Sequence, residues 1–179
     1  MHLVCHPATP SSLVESIEVT FARIDGDRLW LRYYVEMPLD SLAVPHEAQP
    51  ARTDGLWKTT CFEAFLRLTG SKSYVELNAS PSSQWAAYRF DDYRVGMTEL
   101  PVETPPEIGL DMSESHFALE VDYVLSAEWA GQPLALGLSA VIEETDGTKS
   151  YWALVHPPGA PDFHHGDCFA HKLAAPDHP

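Results

Sequence analysis

Basic residues are scarce in this chain. Among its 179 residues, 11 lysines and arginines stand against 26 aspartates and glutamates, and the formal net charge is −15. Proteins that bind nucleic acid or anionic membrane surfaces need a basic patch to neutralise phosphates. The composition therefore argues against both kinds of partner and favours a neutral or cationic ligand.

The chain also has few cysteines and no long apolar run. Its first residues, MHLVCHPATPSS, lack the basic start and apolar core of a secretion signal, and no later stretch is long enough to span a bilayer. The three cysteines, Cys5, Cys61 and Cys168, are an odd number. The missing signal and the odd number of cysteines lead us to expect a cytoplasmic protein, since thiols are reduced by default inside the cell.

Several sequence motifs that carry chemistry are absent. The chain has neither GxGxxG nor GxxxxGK[ST], so it offers no phosphate-binding loop. It has no HExxH, no CxxC pair and no calcium-loop pattern, which removes the metal sites that are easiest to identify. A nucleophilic Cys61 or Cys168 would need a positioned histidine, and no local signature accompanies either thiol.

Strand signals dominate what is present. In residues 28–36, Leu29, Leu31 and Tyr33 alternate with more polar residues such as Arg32, and a tight turn at 24–27 precedes this run. About ten short strands with frequent turn signals predict one all-β domain over residues 1–179, an antiparallel sandwich or barrel. Residues 1–12 are expected to form a loose arm and 174–179 a tail. At most one short helical turn is expected, at 125–131.

The hairpin at residues 61–80 can be read in register. With its loop at 69–72, the strand pairs are Arg67–Tyr74, Phe65–Glu76 and Glu63–Asn78. These side chains share one face because side chains alternate across a strand, and the other face is wholly apolar. Carboxylates and amides beside aromatic rings suit the hydroxyls and the apolar ring face of a sugar. The alternative is an ordinary solvated face of an antiparallel sheet.

The segment HPPGAPDFHHGDCFAHK, residues 156–172, is rich in side chains that bind metals. Neighbouring residues of an extended segment point apart, so His164 and His165 would not both ligate one ion. Alternation from Cys168 to Leu173 indicates a closing strand, and residues 157–167 then form an exposed loop. We expect this loop to form the rim of a binding site, with no metal bound. A metal-dependent enzyme using residues 156–171 is the alternative.

Three blocks of the chain resemble a known family: RTDGLWKTTCFEAFLRL, YVELNASPSSQWAAYRFDDYRVGM and YWALVHPPGAPDFHHGDCFAHKL. They resemble the bacterial DOMON-like proteins, which are related to family 9 carbohydrate-binding modules. The resemblance implies a two-sheet antiparallel β-sandwich. It also implies that Trp57 stacks on a sugar, that Glu63 binds its hydroxyls, and that Trp152, with Tyr151 as the second choice, supplies another aromatic.

The same resemblance leaves cofactors open. Some related modules carry calcium, for which no ligands are assigned here, and haem-binding DOMON domains use methionine and histidine ligands. In this chain the haem ligands would be Met97 and one of His156, His164 or His165. A pair of carboxylates for glycoside hydrolysis, Glu63 and Glu76, is a further alternative.

The sequence thus predicts a non-catalytic module that binds a carbohydrate or a similar polyhydroxylated small molecule. No catalytic residue is assigned, and the oligomeric state is left open. The predicted ligand-binding residues are Trp57, Glu63, Arg67, Glu76, Asn78, Trp152, His164 and His165.

Overall fold

The computed structural model describes residues 1–44 and 48–176. Within these ranges the chain forms twelve strands: β1 (Val4–Cys5), β2 (Ser16–Ile24), β3 (Arg28–Glu36), β4 (Cys61–Leu68), β5 (Tyr74–Ala79), β6 (Trp85–Phe90), β7 (Thr98–Glu99), β8 (Glu107–Met112), β9 (His116–Val124), β10 (Leu134–Glu143), β11 (Lys149–Ala153) and β12 (His171–Leu173).

These strands form two sheets in which every pair of strands is antiparallel. The large sheet has the order β1-β11-β10-β4-β5-β6-β7, with β12 also paired to β10. The small sheet has the order β2-β3-β9-β8. The two sheets pack face to face, so the predicted fold class, an all-β antiparallel sandwich, is confirmed.

The core lies between the two sheets and follows from the two-residue alternation of the strands. Leu29, Leu31 and Tyr33 of β3 point inward and are at most 1% exposed. They belong to one cluster with Phe62 and Leu66 of β4 on the facing sheet. Because β3 buries alternate residues, a slip of one position there would move charged side chains such as Arg32 into this core.

The helical content differs slightly from the expectation. The described residues contain three short 3-10 turns, Leu39–Ser41, Leu56–Lys58 and Gly166–Cys168. Residues 125–131 form a hydrogen-bonded turn instead of a helix, in which the amides of Trp129 and Ala130 both donate to the carbonyl of Ser126 over 2.9 Å. No helix of these residues has the length and apolarity that a membrane crossing requires.

The N-terminal arm is attached more firmly than predicted. Val4 and Cys5 pair with β11, and the Leu3 amide donates to the carbonyl of Ile17 in β2 over 2.9 Å. Leu3 itself is buried in the core. The arm therefore contacts both sheets, because its apolar residues complete the core at that edge. The predicted tail at 174–179 lies outside the described residues from 177 onward.

Candidate functional site

The register predicted for the hairpin of β4 and β5 is confirmed. Glu63 lies opposite Asn78, Phe65 opposite Glu76 and Arg67 opposite Tyr74. The pairing continues into β6, where Tyr88 lies opposite Glu76 and Phe90 opposite Tyr74. On the other side of β4, Ser139 of β10 lies opposite Glu63 and Gly137 opposite Phe65. These residues form the outer face of the large sheet.

Three covering segments, residues 53–58, 91–97 and 156–169, lie over this outer face. Leu56, Phe163 and Phe169 from two of them are buried against Phe65 and Tyr74 of the sheet, forming a second apolar cluster. The interpretation as an ordinary solvated face is therefore wrong for this surface, and so is the description of residues 157–167 as a wholly exposed loop.

Local chemistry holds the longest covering segment in place. The thiol of Cys168 donates to the carbonyls of Val155 and Asp162, each over 3.2 Å. Gly137 allows the backbone of the segment to come close to β10, since a Cβ atom there would lie 2.9 Å from the carbonyl oxygen of Cys168. Cys168 lies in a 3-10 turn and only His171–Leu173 form a strand, so the predicted strand from Cys168 onward is too long.

A cavity of about 350 Å³ remains between the covering segments and the sheet. Its floor carries acidic side chains and its walls are mainly aromatic. The lining residues are Trp57, Glu63, Glu76, Phe90, Arg94, Met97, Val141, Tyr151, Pro161, Phe163 and His164.

Two carboxyl groups form the floor of the cavity. Glu63 is 3% exposed and Glu76 is 5% exposed. Ser139 Oγ donates to Glu63 Oε2 over 3.4 Å, and Asn78 Nδ2 donates to Glu76 Oε1 over 2.8 Å. Burial and the neighbouring Glu76 raise the pKa of Glu63 well above its ordinary value. Burial likewise raises the pKa of Glu76 to about 7, against the lowering effects of Asn78 and Arg94.

His164 joins the floor to the covering segments. Its Nδ1 is 2.8 Å from the hydroxyl of Tyr74, and that hydroxyl accepts a hydrogen bond from the Arg94 amide over 3.2 Å. The Tyr74 hydrogen is therefore free to be donated to Nδ1, which assigns the remaining ring proton to Nε2. Nε2 lies 3.7 Å from Glu76 Oε2. This tautomer turns an N–H group toward the carboxyl of Glu76.

The contact between His164 and Glu76 is not an ion pair in the free protein below neutral pH. Burial and the positive charge of Arg94 lower the pKa of His164 to about 4. Burial raises the pKa of Glu76 to about 7. Desolvation disfavours the charged form of each group, so both are neutral between these two values.

An ion pair links two covering segments at the mouth of the cavity. Arg94 donates to Asp162 Oδ1 over 2.8 Å, and the Tyr93 hydroxyl donates to Asp162 Oδ2 over 2.6 Å. Burial alone would raise the pKa of Asp162, but these two hydrogen bonds outweigh it and lower the pKa. The positive charge of Arg94 is thus committed to Asp162.

Aromatic side chains form part of the walls. Trp57 follows Gly55, whose φ of 79° makes the turn into the 3-10 segment Leu56–Lys58. The rings of Trp57 and Tyr88 meet edge to face with centroids 5.8 Å apart, and the Tyr88 hydroxyl donates to Asp54 over 2.6 Å. Trp57 remains partly exposed, so one of its faces is available beside the cavity.

Four of the eight predicted ligand-binding residues line the cavity: Trp57, Glu63, Glu76 and His164. Asn78 is fully buried beside them and holds Glu76. The remaining three lie elsewhere. Arg67 stacks its guanidinium over the ring of Phe169 at 4.2 Å, outside the cavity.

His165 and Trp152 are the other two. His165 accepts a hydrogen bond from the amide of Asp167 over 3.2 Å and does not reach the cavity. Trp152 is 6% exposed and belongs to the core between the sheets. Side chains alternate along β11, so Tyr151 faces the cavity in its place. For the second aromatic of the site, the structure thus favours Tyr151, the second choice from the sequence, over Trp152.

The metal-site hypothesis for residues 156–171 finds no support in the side-chain positions. Within residues 1–44 and 48–176, no three histidine, cysteine, aspartate or glutamate side chains are placed to share an ion. The histidines have separate partners: His156 Nε2 lies 2.8 Å from the carbonyl of Val4, whereas His164 contacts Glu76.

Only some of the residues that the haem alternative requires lie close together. Met97 and His164 both line the cavity, but Glu63 and Glu76 form its floor and both ring nitrogens of His164 face protein groups. Buried carboxyls and a committed imidazole suit an apolar macrocycle poorly.

Sequence reasoning missed several lining residues. Phe90 could have been found by extending the strand register from Tyr74 across to β6, where it lies directly opposite. Arg94, Pro161 and Phe163 lie on irregular segments whose paths no periodicity predicts. Only folding brings them over the sheet.

Solved structures with a similar fold include two that are linked to sugars. A candidate carbohydrate-binding protein from Bacteroides uniformis ATCC 8492 matches with a TM-score of 0.62 and 14% identity, over 91% of this chain and 79% of that one. A family 9 carbohydrate-binding module from Caldicellulosiruptor kristjanssonii in complex with glucose matches with a TM-score of 0.52 and 11% identity, over 90% and 73%. No protein-family model matches the chain, and no curated protein matches it. The likeness establishes a shared fold.

Proposed function

We propose that this chain is a non-catalytic carbohydrate-binding module that holds a single sugar residue above the outer face of the large sheet. The observation that carries the proposal is the cavity itself, in which the partly exposed Trp57 and Tyr151 lie beside the buried Glu63 and Glu76. Aromatic faces pack on the apolar side of a sugar ring, and carboxyls bind its hydroxyls.

The size of the cavity agrees with a small ligand. Its volume of about 350 Å³ is at the lower end of the roughly 300–1,000 Å³ that small-molecule sites occupy. The similar fold of a glucose-bound family 9 module supports the same ligand class. We further propose that the chain is a DOMON-like protein, because its three sequence blocks resemble that family.

A binding role accounts for the two carboxyls better than hydrolysis does. Glycoside hydrolysis places its two carboxyls on either side of the scissile bond. Glu63 and Glu76 are instead diagonal neighbours on adjacent strands and lie together on the cavity floor. A sugar resting on this floor would meet both groups from the same side.

The proposal can be tested by screening monosaccharides and short glycans by calorimetry. Trp57→Ala and Tyr151→Ala should each weaken binding about fivefold or more, since an aromatic contact contributes about 1 kcal/mol beyond its buried area. Trp30→Ala, on the outer face of the small sheet, is the matched control and should bind like the unmodified chain. Failure of the unmodified chain to bind any sugar, or equal binding by the Trp57 variant, would overturn the proposal. Release of reducing sugar would contradict its non-catalytic part.

A further inference from the structure

The cavity floor has an excess of negative groups over positive ones. Glu63 and Glu76 both face it, yet the cations around them are otherwise engaged: Arg94 binds Asp162, and Arg67 lies over Phe169. The remaining basic group, the imidazole of His164, is neutral above about pH 4. In the part of the chain that the structure describes, the two buried carboxyls thus have only partial compensation, from an Arg94 that is already paired with Asp162.

An uncompensated buried carboxylate is unstable, and the free protein responds by retaining a proton. Amide side chains at both positions would bind neutral hydroxyls without this cost. The choice of two acids therefore suits a ligand that brings positive charge of its own.

The hydrogen-bond partners of the ionised carboxyls lead to the same ligand class. Asn78 is fully buried, donates its amide to Glu76, and leaves its Oδ1 without a partner among the described residues. It lies directly opposite Glu63 on the same face. Once Glu63 and Glu76 are ionised, their free oxygens and the unpartnered Asn78 Oδ1 behind them are all acceptors, and few donors remain near the floor. An ammonium group offers three N–H donors and no acceptor, which is the complement of such a surface.

We propose that the ligand is an amino sugar whose ammonium group lies between the side chains of Glu63 and Glu76 while its ring packs on Trp57. This inference rests on the proposed carbohydrate-binding function and specifies its substrate class. The two strand positions are diagonal neighbours, roughly 7–8 Å apart at the backbone, which allows both carboxyls to reach one ammonium. An N-acetylated sugar lacks the charge, and an acidic sugar would add repulsion.

Binding of an ammonium should displace the proton that the carboxyl pair retains. The pKa of Glu76 is about 7 and a bound ammonium would lower it, so this displacement is largest somewhat below neutral pH, where the free carboxyl is mostly protonated. The other groups facing the pair keep their charge in this range. His164 has a pKa of about 4, and Asp162 has a lowered pKa. Arg94 stays positive. The phenol of Tyr74 and the thiol of Cys61 stay neutral because burial raises the pKa of each.

The test is calorimetric titration of the full chain with glucosamine, glucose and N-acetylglucosamine. Titrations at about pH 5.5 and about pH 7 keep the sugar amine mostly protonated, because such an amine titrates near an α-amino group at about 7.7–8.0. They also change the ionisation of Glu76, whose pKa is about 7. Two buffers of different ionisation enthalpy report the protons released. Glucosamine should bind more than about tenfold tighter than either neutral sugar at the higher pH. It should release protons on binding and lose affinity at the lower pH.

Glutamate-to-glutamine variants distinguish the effect of the carboxyl charge on binding from the effect of the shape of the cavity. Glu63→Gln and Glu76→Gln keep the side-chain volume. Each should weaken glucosamine binding by about tenfold or more, and by a larger factor than it weakens glucose binding, because only glucosamine loses a charged partner. Glu114→Gln, at an exposed position outside the cavity, is the control and should alter neither.

The possible outcomes distinguish this inference from the function on which it rests. If neutral sugars bind as tightly as glucosamine, with no proton release, the amino-sugar inference is overturned and the carbohydrate-binding proposal stands. If no sugar binds, both are overturned. If glucosamine binds tightly but equally well to the Glu63 and Glu76 variants, the ammonium lies elsewhere and the inference is again overturned.

Discussion

The outer faces of the two sheets look alike in sequence and differ in the folded chain. Each is built from strands in which polar and aromatic residues alternate with apolar ones. On the small sheet this face is open to solvent, whereas on the large sheet three covering segments bury it. The candidate site therefore depends on the segments that cover the large sheet. The alternation of polar and apolar residues along the strands does not distinguish the two outer faces.

Charges on the two faces are balanced differently. On the small sheet, Arg32 lies 3.5 Å from both Glu120 and Asp111, and all three side chains are substantially exposed. Such surface pairs contribute about 0–1 kcal/mol each, because water already solvates the separate charges. On the large sheet, Glu63 and Glu76 are buried, and neither forms an ion pair with a lysine or arginine among the described residues. Water can no longer compensate them, so their protonation state becomes sensitive to pH and to a bound ligand.

Truncating one aromatic on each face should reveal the largest difference. Phe65 is 1% exposed and contacts the rings of His164 and Phe169 beneath the cover. Phe65→Ala should lower the free energy of unfolding by about 3–5 kcal/mol, as for other buried phenylalanines. Tyr34 on the small sheet is only half-buried and stacks on His116. Tyr34→Ala should cost less than about 1.5 kcal/mol.

Urea denaturation followed by tryptophan fluorescence measures both variants. Equal losses would mean that the covering segments do not bury Phe65 in solution, and the contrast between the two faces would fail.

The second largest difference between the two faces should be in how their carboxyl groups make the stability depend on pH. The pKa of Glu76 rises from 4.5 unfolded to about 7 folded, so the folded state binds the additional proton. The associated stability is fully present below about pH 4.5 and is lost as pH rises to about 7, an effect on the order of 3 kcal/mol. Glu76→Gln should remove this loss. Glu120→Gln on the small sheet is the control and should leave the profile unchanged.

His164 acts in the opposite direction over part of the same range. Its pKa falls from 6.5 to about 4 on folding, so its contribution is lost as pH falls through that interval. The two effects oppose each other between about pH 4.5 and 6.5, where the unmodified chain should show a shallow profile. Urea midpoints at pH 5, 6, 7 and 8 would separate them. A Glu76→Gln profile parallel to that of the unmodified chain would contradict the buried state of this carboxyl.

The sequence predicted the sandwich and the register of β4 and β5 correctly because both depend on local alternation. Four lining residues, Trp57, Glu63, Glu76 and His164, followed from that register and from the family resemblance. The error at Trp152 arose because the resemblance was aligned loosely by one position, and one position reverses the face of a strand. The cover itself could not be predicted, since its path depends on tertiary contacts of irregular segments.

One glycine in the sequence did indicate that another segment packs on the large sheet. Substituting it should give the smallest of the expected differences between the two sheets. Gly137 lies on the outer face of β10, where a strand glycine often marks the close approach of another backbone. A Cβ atom there would meet the Cys168 carbonyl oxygen at 2.9 Å, too close for ordinary contact. Gly137→Ala should therefore cost about 1–3 kcal/mol, because the covering segment must shift.

Gly109 is the matched position on the small sheet, where an added Cβ atom would find its nearest neighbour, the Cβ atom of Glu120, at 4.0 Å. Gly109→Ala should be neutral or slightly stabilising, since alanine restricts the unfolded chain and meets no obstruction. Thermal unfolding of the two variants tests this, and sugar binding adds a second readout. The Gly137 variant should also lose affinity, because the same segment carries His164 and Phe163 into the cavity. Equal stability and equal binding in both variants would show that the segment does not lie against β10.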